Sequence, residues 1–370
     1  AYLGASNMRR FKSRNKEITD TVAGDDLPLK SLINCERGGP YHLINTTLNL
    51  SAGRDLATAQ RSASSFVLSQ KYCGSSRTDY CLTDEYMAGQ LSLGTAVAAS
   101  GAAVSPSMGA KKPTAALAML MTLLNVRLGY WAPTPNRKGW NSSQPRLWPF
   151  YLVREFLSQT NDLSDYCYLT DGGHFDNTGL YSLIERGCRF IVLVDCGADP
   201  KPPRFADLGE AIRRCRIDFG AEINLKLDSL IHGECPSMAS CFAIGKIKFS
   251  EKHLRLLALA GKDETPGPKR DELKREGIVV YVKPSLIPHV TADVRGYAFE
   301  NNFFPQQPTT NQWFGEAQFE SYRRLGQTCA HSAFGQFKSE GLENRGRLSM
   351  KKIRTLFFGL YDQVSRGVTP

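Results

Sequence analysis

The stretch Tyr166-Cys-Tyr-Leu-Thr-Asp-Gly-Gly-His-Phe-Asp-Asn177 constrains this chain more than any other. Its first half is short, apolar and β-forming, and it ends on a carboxylate, Asp171, followed by two glycines. In open α/β sheets reactive groups stand beyond the carboxyl ends of strands, where the chain turns into a helix. Gly172 and Gly173 can take positive φ there and let a substrate or a second loop come close to the backbone. Asp176 or Asn177 offers an N-cap, and Leu180, Leu183 and Ile184 recur at helical spacing until Gly187 can close the helix. Phe190-Ile-Val-Leu-Val194 then reads as a parallel strand covered on both faces and ending in Asp195. Strand, turn, helix and strand make a βαβ unit. A helix from about Phe205 to Arg216, with Leu208, Ile212 and Cys215 on one face, extends the alternation.

At 370 residues the chain has material for one large or two ordinary domains. Residues 1–38 are polar and basic, with Arg9, Arg10, Lys12, Arg14 and Lys16 close together, and read as a linker or surface segment. Strands are expected within 39–50 and at Ser65–Leu68. The small-residue run Leu93–Gly109 predicts a closely packed helix that Pro106 stops. Ala115–Trp131 is the most apolar long stretch, but Asn125 and Arg127 interrupt it. It falls short of the roughly 20 residues that span a bilayer and predicts a buried or half-buried helix. Pro133–Pro149 reads as a loop. Cys241–Phe249 and Ile278–Val282 read as strands separated by an exposed charged loop, Gly261–Glu276, and Glu316–Leu325 reads as a helix. The basic tail 346–370 places Ile353, Leu356, Phe357, Leu360 and Tyr361 on one face and Lys351, Lys352 and Arg354 on another. That amphipathic pattern is expected to dock on the protein's own core in preference to a membrane.

The formal charge of +10 favours anionic partners such as an acidic membrane surface. The basic residues are dispersed, and no RNA-binding, helix-turn-helix or zinc-finger pattern accompanies them, so nucleic acid is not an expected partner. The ten cysteines include no Cys-x-x-Cys pair, which gives a zinc site no support. Cys167, Cys188 and Cys196 lie in or beside apolar strands, where reduced thiols act as small hydrophobes. A reducing compartment, cytoplasmic or peripheral to a membrane, fits that usage, with a Cys235–Cys241 disulfide as the alternative. No signal peptide opens the chain, and a start at Ala fits a processed or truncated N-terminus.

Asp171-Gly-Gly, with Ala99-Ser-Gly-Ala-Ala-Val-Ser-Pro106 upstream, resembles the patatin-like phospholipases and the related cytosolic phospholipase catalytic domain. The resemblance runs from about Gly39 to Arg324 and includes Phe304-Pro-Gln-Gln-Pro-Thr-Thr-Asn-Gln-Trp-Phe-Gly-Glu-Ala-Gln-Phe-Glu-Ser-Tyr-Arg323. It implies a three-layer α/β fold with a mainly parallel central sheet and a lipid acyl hydrolase that acts on phospholipids or other acyl lipids. It also implies a serine nucleophile in a Gly-x-Ser-x-Gly elbow, with Asp171 as its general base. Gly172, Gly173, His174 and Asn177 would line that site, and no metal or organic cofactor is required.

No Gly-x-Ser-x-Gly occurs in the chain, nor does the family's glycine-rich oxyanion loop. The nearest approach, Gly4-Ala-Ser-Asn-Met8, lacks the second glycine and a preceding strand, so Ser6 is a poor nucleophile candidate; Ser100 reads as a packing residue. The expectation is therefore the C-terminal portion of a patatin-like domain, residues 39–345, incomplete at its N-terminal side. An aspartate is a weak base, so its site must desolvate it or bind the serine hydroxyl closely. Two other classes compete. One is a catalytically inactive module that binds lipid or a partner. The other is a metal-dependent hydrolase with Asp171, His174, Asp176 and Asp195 as ligands. Purely structural roles are also open: Asp171 as a turn cap, His174 as a partly buried structural histidine, and Asp195 in loop packing.

Overall fold

The computed structural model describes residues 26–34, 40–52, 61–104, 128–199 with short gaps between 136 and 158, 204–231, 240–260, 275–308, 313–335 and 349–366. Ser6, Pro106, residues 115–127 of the apolar stretch, Cys35, Cys235 and residues 261–274 of the charged segment lie outside the described residues. The chain divides into two compact units, Ala1–Asn177 and Thr178–Pro370, a division that falls inside the segment 39–345. Both combine helices with strands, so the protein is mixed α/β.

The first unit holds a six-stranded sheet. Its strands are β1 (Leu43–Asn49), β2 (Ala63–Ser69), β3 (Tyr72–Ser75), β4 (Asp79–Leu82), β5 (Tyr130–Pro133) and β6 (Tyr166–Asp171), in the order β4-β3-β2-β1-β6-β5. Every pairing is antiparallel. Helix α1 (Leu93–Ser100) starts at Ser92, whose hydroxyl accepts the Thr95 N–H at 3.1 Å, and ends at Gly101, ahead of Pro106. It packs on β1 and β6. Leu48, Phe66, Leu68, Tyr86 and Leu169 form the core of this unit. The end of the apolar stretch is strand, not helix, because Trp131 sits opposite Tyr168 in the ladder and their rings meet at 5.0 Å. Such aromatic cross-strand pairs stabilise a sheet.

The second unit contains α2 (Leu180–Glu185), β7 (Phe190–Val194), α3 (Ala206–Phe219), β8 (Glu222–Leu225), β9 (Phe242–Lys248), α4 (Glu251–Ala260), β10 (Glu276–Val282), α5 (Ala292–Glu300), α6 (Glu316–Phe334) and α7 (Met350–Ser365). Its sheet has the order β7-β10-β9-β8, and only β7 and β10 run parallel.

Neither sheet is mainly parallel, and the expected βαβ unit does not close. Strand β6 takes antiparallel partners on both sides, β1 and β5, whereas β7 joins the other sheet. Nor is β7 covered on both faces. It is an edge strand that buries Ile191 and Leu193 and leaves Val192 and Val194 45% and 56% exposed. The doubly covered strand is β10, buried from Gly277 to Val282. Helix α2 is entered through Gly179 at φ +73°, so neither Asp176 nor Asn177 caps it, while Gly187 at φ +67° closes it as expected.

The basic tail behaves as the amphipathic pattern predicts. Helix α7 packs on β7, β9 and β10. Leu360 is fully buried, Phe357 meets Phe190 at 5.2 Å, and Lys246 lies 4.8 Å over the Tyr361 ring. Burying one such leucine contributes about 1.5–3 kcal/mol, which is ample reason for the apolar face to stay on its own sheet.

Candidate active site

Asp171 is the last residue of β6, and everything around its backbone is fixed by the first-unit sheet. Thr46 of β1 faces Asp171 across the ladder, and the neighbouring Thr47 hydroxyl donates to the Asp171 carbonyl at 2.7 Å and to the Gly172 carbonyl at 3.3 Å. The Asp171 N–H donates to the Ala102 carbonyl at 3.3 Å, just beyond α1. Residues Gly172–His174 then make one turn of 3-10 helix. The Asp171 Oδ1 caps it by accepting the Gly173 N–H at 2.7 Å. Among the described residues no donor reaches Oδ2, and the side chain is half-buried.

The two glycines serve a purpose other than positive φ, which neither adopts. A Cβ on Gly172 would lie 2.6 Å from the main-chain oxygen of Asn45 in β1. A Cβ on Gly173 would meet side-chain oxygens instead, Asn177 Oδ1 at 2.7 Å and Asp171 Oδ1 at 3.1 Å. The turn is thus pressed against the sheet, and the close approach comes from β1. Gly172→Ala is expected to destabilise the protein by about 1–3 kcal/mol, because a strand carbonyl cannot step aside without breaking its ladder. Gly173→Ala should cost less stability and move the Asp171 carboxylate. Denaturation midpoints of the two variants test the contrast, and equal midpoints would refute it.

His174 is held at both ring nitrogens, Nδ1 by Thr170 Oγ1 at 3.0 Å and Nε2 by the Ala103 carbonyl at 3.2 Å. A carbonyl only accepts, so Nε2 carries a proton, and in the neutral ring Nδ1 then accepts from the Thr170 hydroxyl. Thr170 in turn accepts from Asn49 Nδ2 at 2.9 Å. The chain Asn49, Thr170, His174, Ala103 ties β1, β6 and the segment after α1 into one polar brace beneath the turn. His174 is therefore a positioning residue of this geometry. Asn177 is exposed, with its side-chain oxygen over Gly173. Ser100 donates to the Asn45 carbonyl at 2.8 Å, which is the packing role expected of it. Thr47, Asn49 and Thr170 were not legible as site residues, since threonine and asparagine in a β-rich segment carry no distinctive spacing.

Asp195 repeats the local geometry in the second unit with the opposite outcome. Its Oδ1 accepts the Gly197 N–H at 2.9 Å, as Asp171 accepts from Gly173. Its Oδ2, however, is taken by the Tyr281 hydroxyl at 2.7 Å and by Lys283 Nζ at 3.2 Å. Asp195 and Lys283 are both buried, and Lys283 also donates to the Gly197 carbonyl at 2.8 Å. Burial first, and the adjacent carboxylate second, push the Tyr281 phenol far above its ordinary range, so it remains a donor. Asp195 is a loop anchor, the packing role named above.

Nearby, Gln306 and Gln307 of the Phe304–Arg323 segment brace the loops. Gln306 accepts from the Asp199 N–H at 3.0 Å and donates to the Pro284 carbonyl at 3.1 Å, and Gln307 accepts from Gln318 at 2.9 Å. Among the described residues no group of three or more His, Cys, Asp or Glu side chains is arranged to hold a metal ion. Cys241 is a free buried thiol, as are Cys73, Cys167, Cys215 and Cys329. No described helix is long and apolar enough to cross a membrane.

Comparison with protein-family models, with curated proteins and with solved structures returned no match.

Proposed function

We propose that Asp171 is the proton acceptor of a serine–aspartate lipid acyl hydrolase whose serine lies upstream of these residues. The observation that carries this reading is the posture of the carboxylate: one oxygen fixed by Gly173, the other reached by no donor among the described residues, at the end of a strand braced on both sides. Asp195, whose Oδ1 likewise accepts the N–H two residues on, has both oxygens occupied, so an unengaged second oxygen is not a general property of an aspartate with that contact. Two of the three stretches that carry the patatin-like resemblance also meet here, through the Asp171 N–H and the Ala102 carbonyl and through His174 and Ala103. We read the first unit accordingly as part of a patatin-like domain, despite its antiparallel sheet.

In the proposed reaction the serine proton passes to Asp171 Oδ2 as the serine oxygen bonds to the acyl carbonyl carbon. The tetrahedral intermediate expels the alcohol, which leaves with that proton, and an acyl-serine remains. Water then gives a proton to the same carboxylate, attacks the acyl carbon and releases the fatty acid, and the proton returns to the serine oxygen. The Gly173 N–H steadies the carboxylate throughout by holding Oδ1. Phospholipid or another acyl lipid is the substrate class, and an anionic membrane surface suits the charge of +10.

A fluorophosphonate probe is expected to label the parent protein that carries the upstream serine, equally with and without EDTA. Turnover that EDTA abolishes and a divalent ion restores would overturn the reading in favour of metal-dependent hydrolysis. Lipid binding with no labelling would overturn it in favour of the inactive module.

A further inference from the structure

The second unit contains an open-mouthed cavity of about 610 Å³ whose wall brings together the exposed His289 and His331, the half-buried Arg324, and Thr291, Thr328 and Ser332. Arg324, Thr328 and His331 stand at i, i+4 and i+7 on α6, one stripe of the helix facing the same space. The opposite stripe, with Leu325 and Cys329, is buried in the core. His289 and Thr291 come from the segment between β10 and α5, and Thr291 is the residue that opens α5. One guanidinium and two imidazoles thus converge with three hydroxyls, one of them at a helix start.

Arg324 and the two histidines have donors to spare, whereas the Thr328 hydroxyl already donates to the Arg324 carbonyl at 3.1 Å. The Arg324 guanidinium has five N–H groups, and among the described residues one is used, on Gln327 Oε1 at 3.0 Å. Asp293 and Glu320 are the carboxylates that feel its charge, yet neither forms an ion pair with it. Glu320 is engaged by Arg323, at 2.6 and 2.7 Å. Among the described residues neither His289 nor His331 has a side-chain partner. A cavity with a largely unspent guanidinium on one wall and unengaged imidazoles on both walls is suited to an anion with several acceptor oxygens. At this volume it also has room for an organic group beyond the anion.

We propose that this cavity binds a phosphate group, as a soluble phosphate ester or as the headgroup of an anionic lipid, through Arg324, His289 and His331. Carboxylates of similar size lack the third oxygen needed to engage donors from both walls at once. The site lies wholly in the unit that begins at Thr178, and its assignment does not depend on the role of Asp171.

Isothermal titration of the 370-residue chain with inorganic phosphate and with glycerol 3-phosphate, alongside co-sedimentation with phosphatidic acid/phosphatidylcholine vesicles, tests this. Saturable binding of the soluble phosphates is expected, weakened about tenfold or more by Arg324→Gln, as loss of a charge-assisted contact implies. His331→Gln should weaken it as well, and Arg213→Gln, on the exposed side of α3, should not. If the physiological source is a lipid, sedimentation with the phosphatidic acid vesicles will show the same Arg324 dependence and pure phosphatidylcholine vesicles will not retain the protein. Vesicle binding without that dependence places no lipid in the cavity and leaves the soluble ester as the ligand. No saturable binding of any phosphate, or equal binding by the Arg324→Gln and His331→Gln variants with folding intact by circular dichroism, overturns the proposal.

Discussion

Asp171→Asn is expected to lower ester turnover by the parent protein roughly 10³- to 10⁴-fold while leaving the fold in place. The magnitude follows from the role. In a dyad the aspartate is the only base, so its loss removes proton transfer from both halves of the reaction, about 4–5.5 kcal/mol of barrier. The fold should survive because an asparagine oxygen can still accept the Gly173 N–H that caps the turn, and because the other contacts of residue 171 come from its backbone. A denaturation midpoint within experimental scatter of the parent, with kcat lowered and KM little changed, is the expected pattern. The 370 residues by themselves should not turn over a p-nitrophenyl ester, since they contain no Gly-x-Ser-x-Gly. If they do, and Asp171→Asn abolishes the activity, the nucleophile lies within this chain, and Ser6 becomes the first residue to replace.

The strand that carries Asp171, the glycine that ends α2, the central strand β10 and the docking of α7 were all legible in the sequence. Each is specified by a pattern that local physics decides: a short apolar run, a glycine in the left-handed region, a 3.6-residue apolar stripe. The direction of strand pairing was not. Side chains alternate in the same way in parallel and antiparallel ladders, and β6 is committed to its antiparallel partners by residues far away in sequence, Thr46 to Leu48 on one side and Trp131 on the other. The apolar run of β7 misled for a related reason. Val192 and Val194 are as apolar as Ile191 and Leu193, so an edge strand with one covered face reads like a central one.

At the site, the identity of the carboxylate was readable and its support was not. Gly172 and Gly173 announce that something comes close, but whether a backbone conformation or a neighbouring strand demands them depends on where β1 lies. The brace through Asn49, Thr170 and His174 is equally remote, joining residues 49 and 174 through a threonine that any strand might contain. His174 was identified without its role. Only its two hydrogen bonds, one to a carbonyl, separate a proton carrier from a residue that holds the turn in place.

The largest expected loss of stability lies in the other aspartate turn. Lys283→Met is expected to destabilise the protein by about 3–5 kcal/mol, because it leaves the Asp195 carboxylate buried without its cation. The Tyr281 hydroxyl and the Gly197 N–H would remain as donors, which keeps the cost finite, but neither supplies charge. Asp195→Asn removes the opposite member and strands the Lys283 ammonium on the Gly197 carbonyl, so it should cost a similar amount. Combined, the two changes remove both charges of the pair, and the double variant should be more stable than the sum of the single losses predicts, with the excess measuring the coupling. Chemical denaturation of the four proteins provides the cycle, and Arg255→Gln, which breaks a pair more than half exposed on α4, should fall within about 0.5 kcal/mol of the parent. Strict additivity of the two buried changes would mean that Lys283 and Asp195 do not act as a pair. Asp171 and Asp195 should then separate cleanly. Two aspartates that each accept the N–H two residues on differ, among the described residues, in whether the second oxygen is occupied, so replacing one should cost turnover at little expense of stability. Disturbing the other should cost stability, since its oxygens are already bound to the fold.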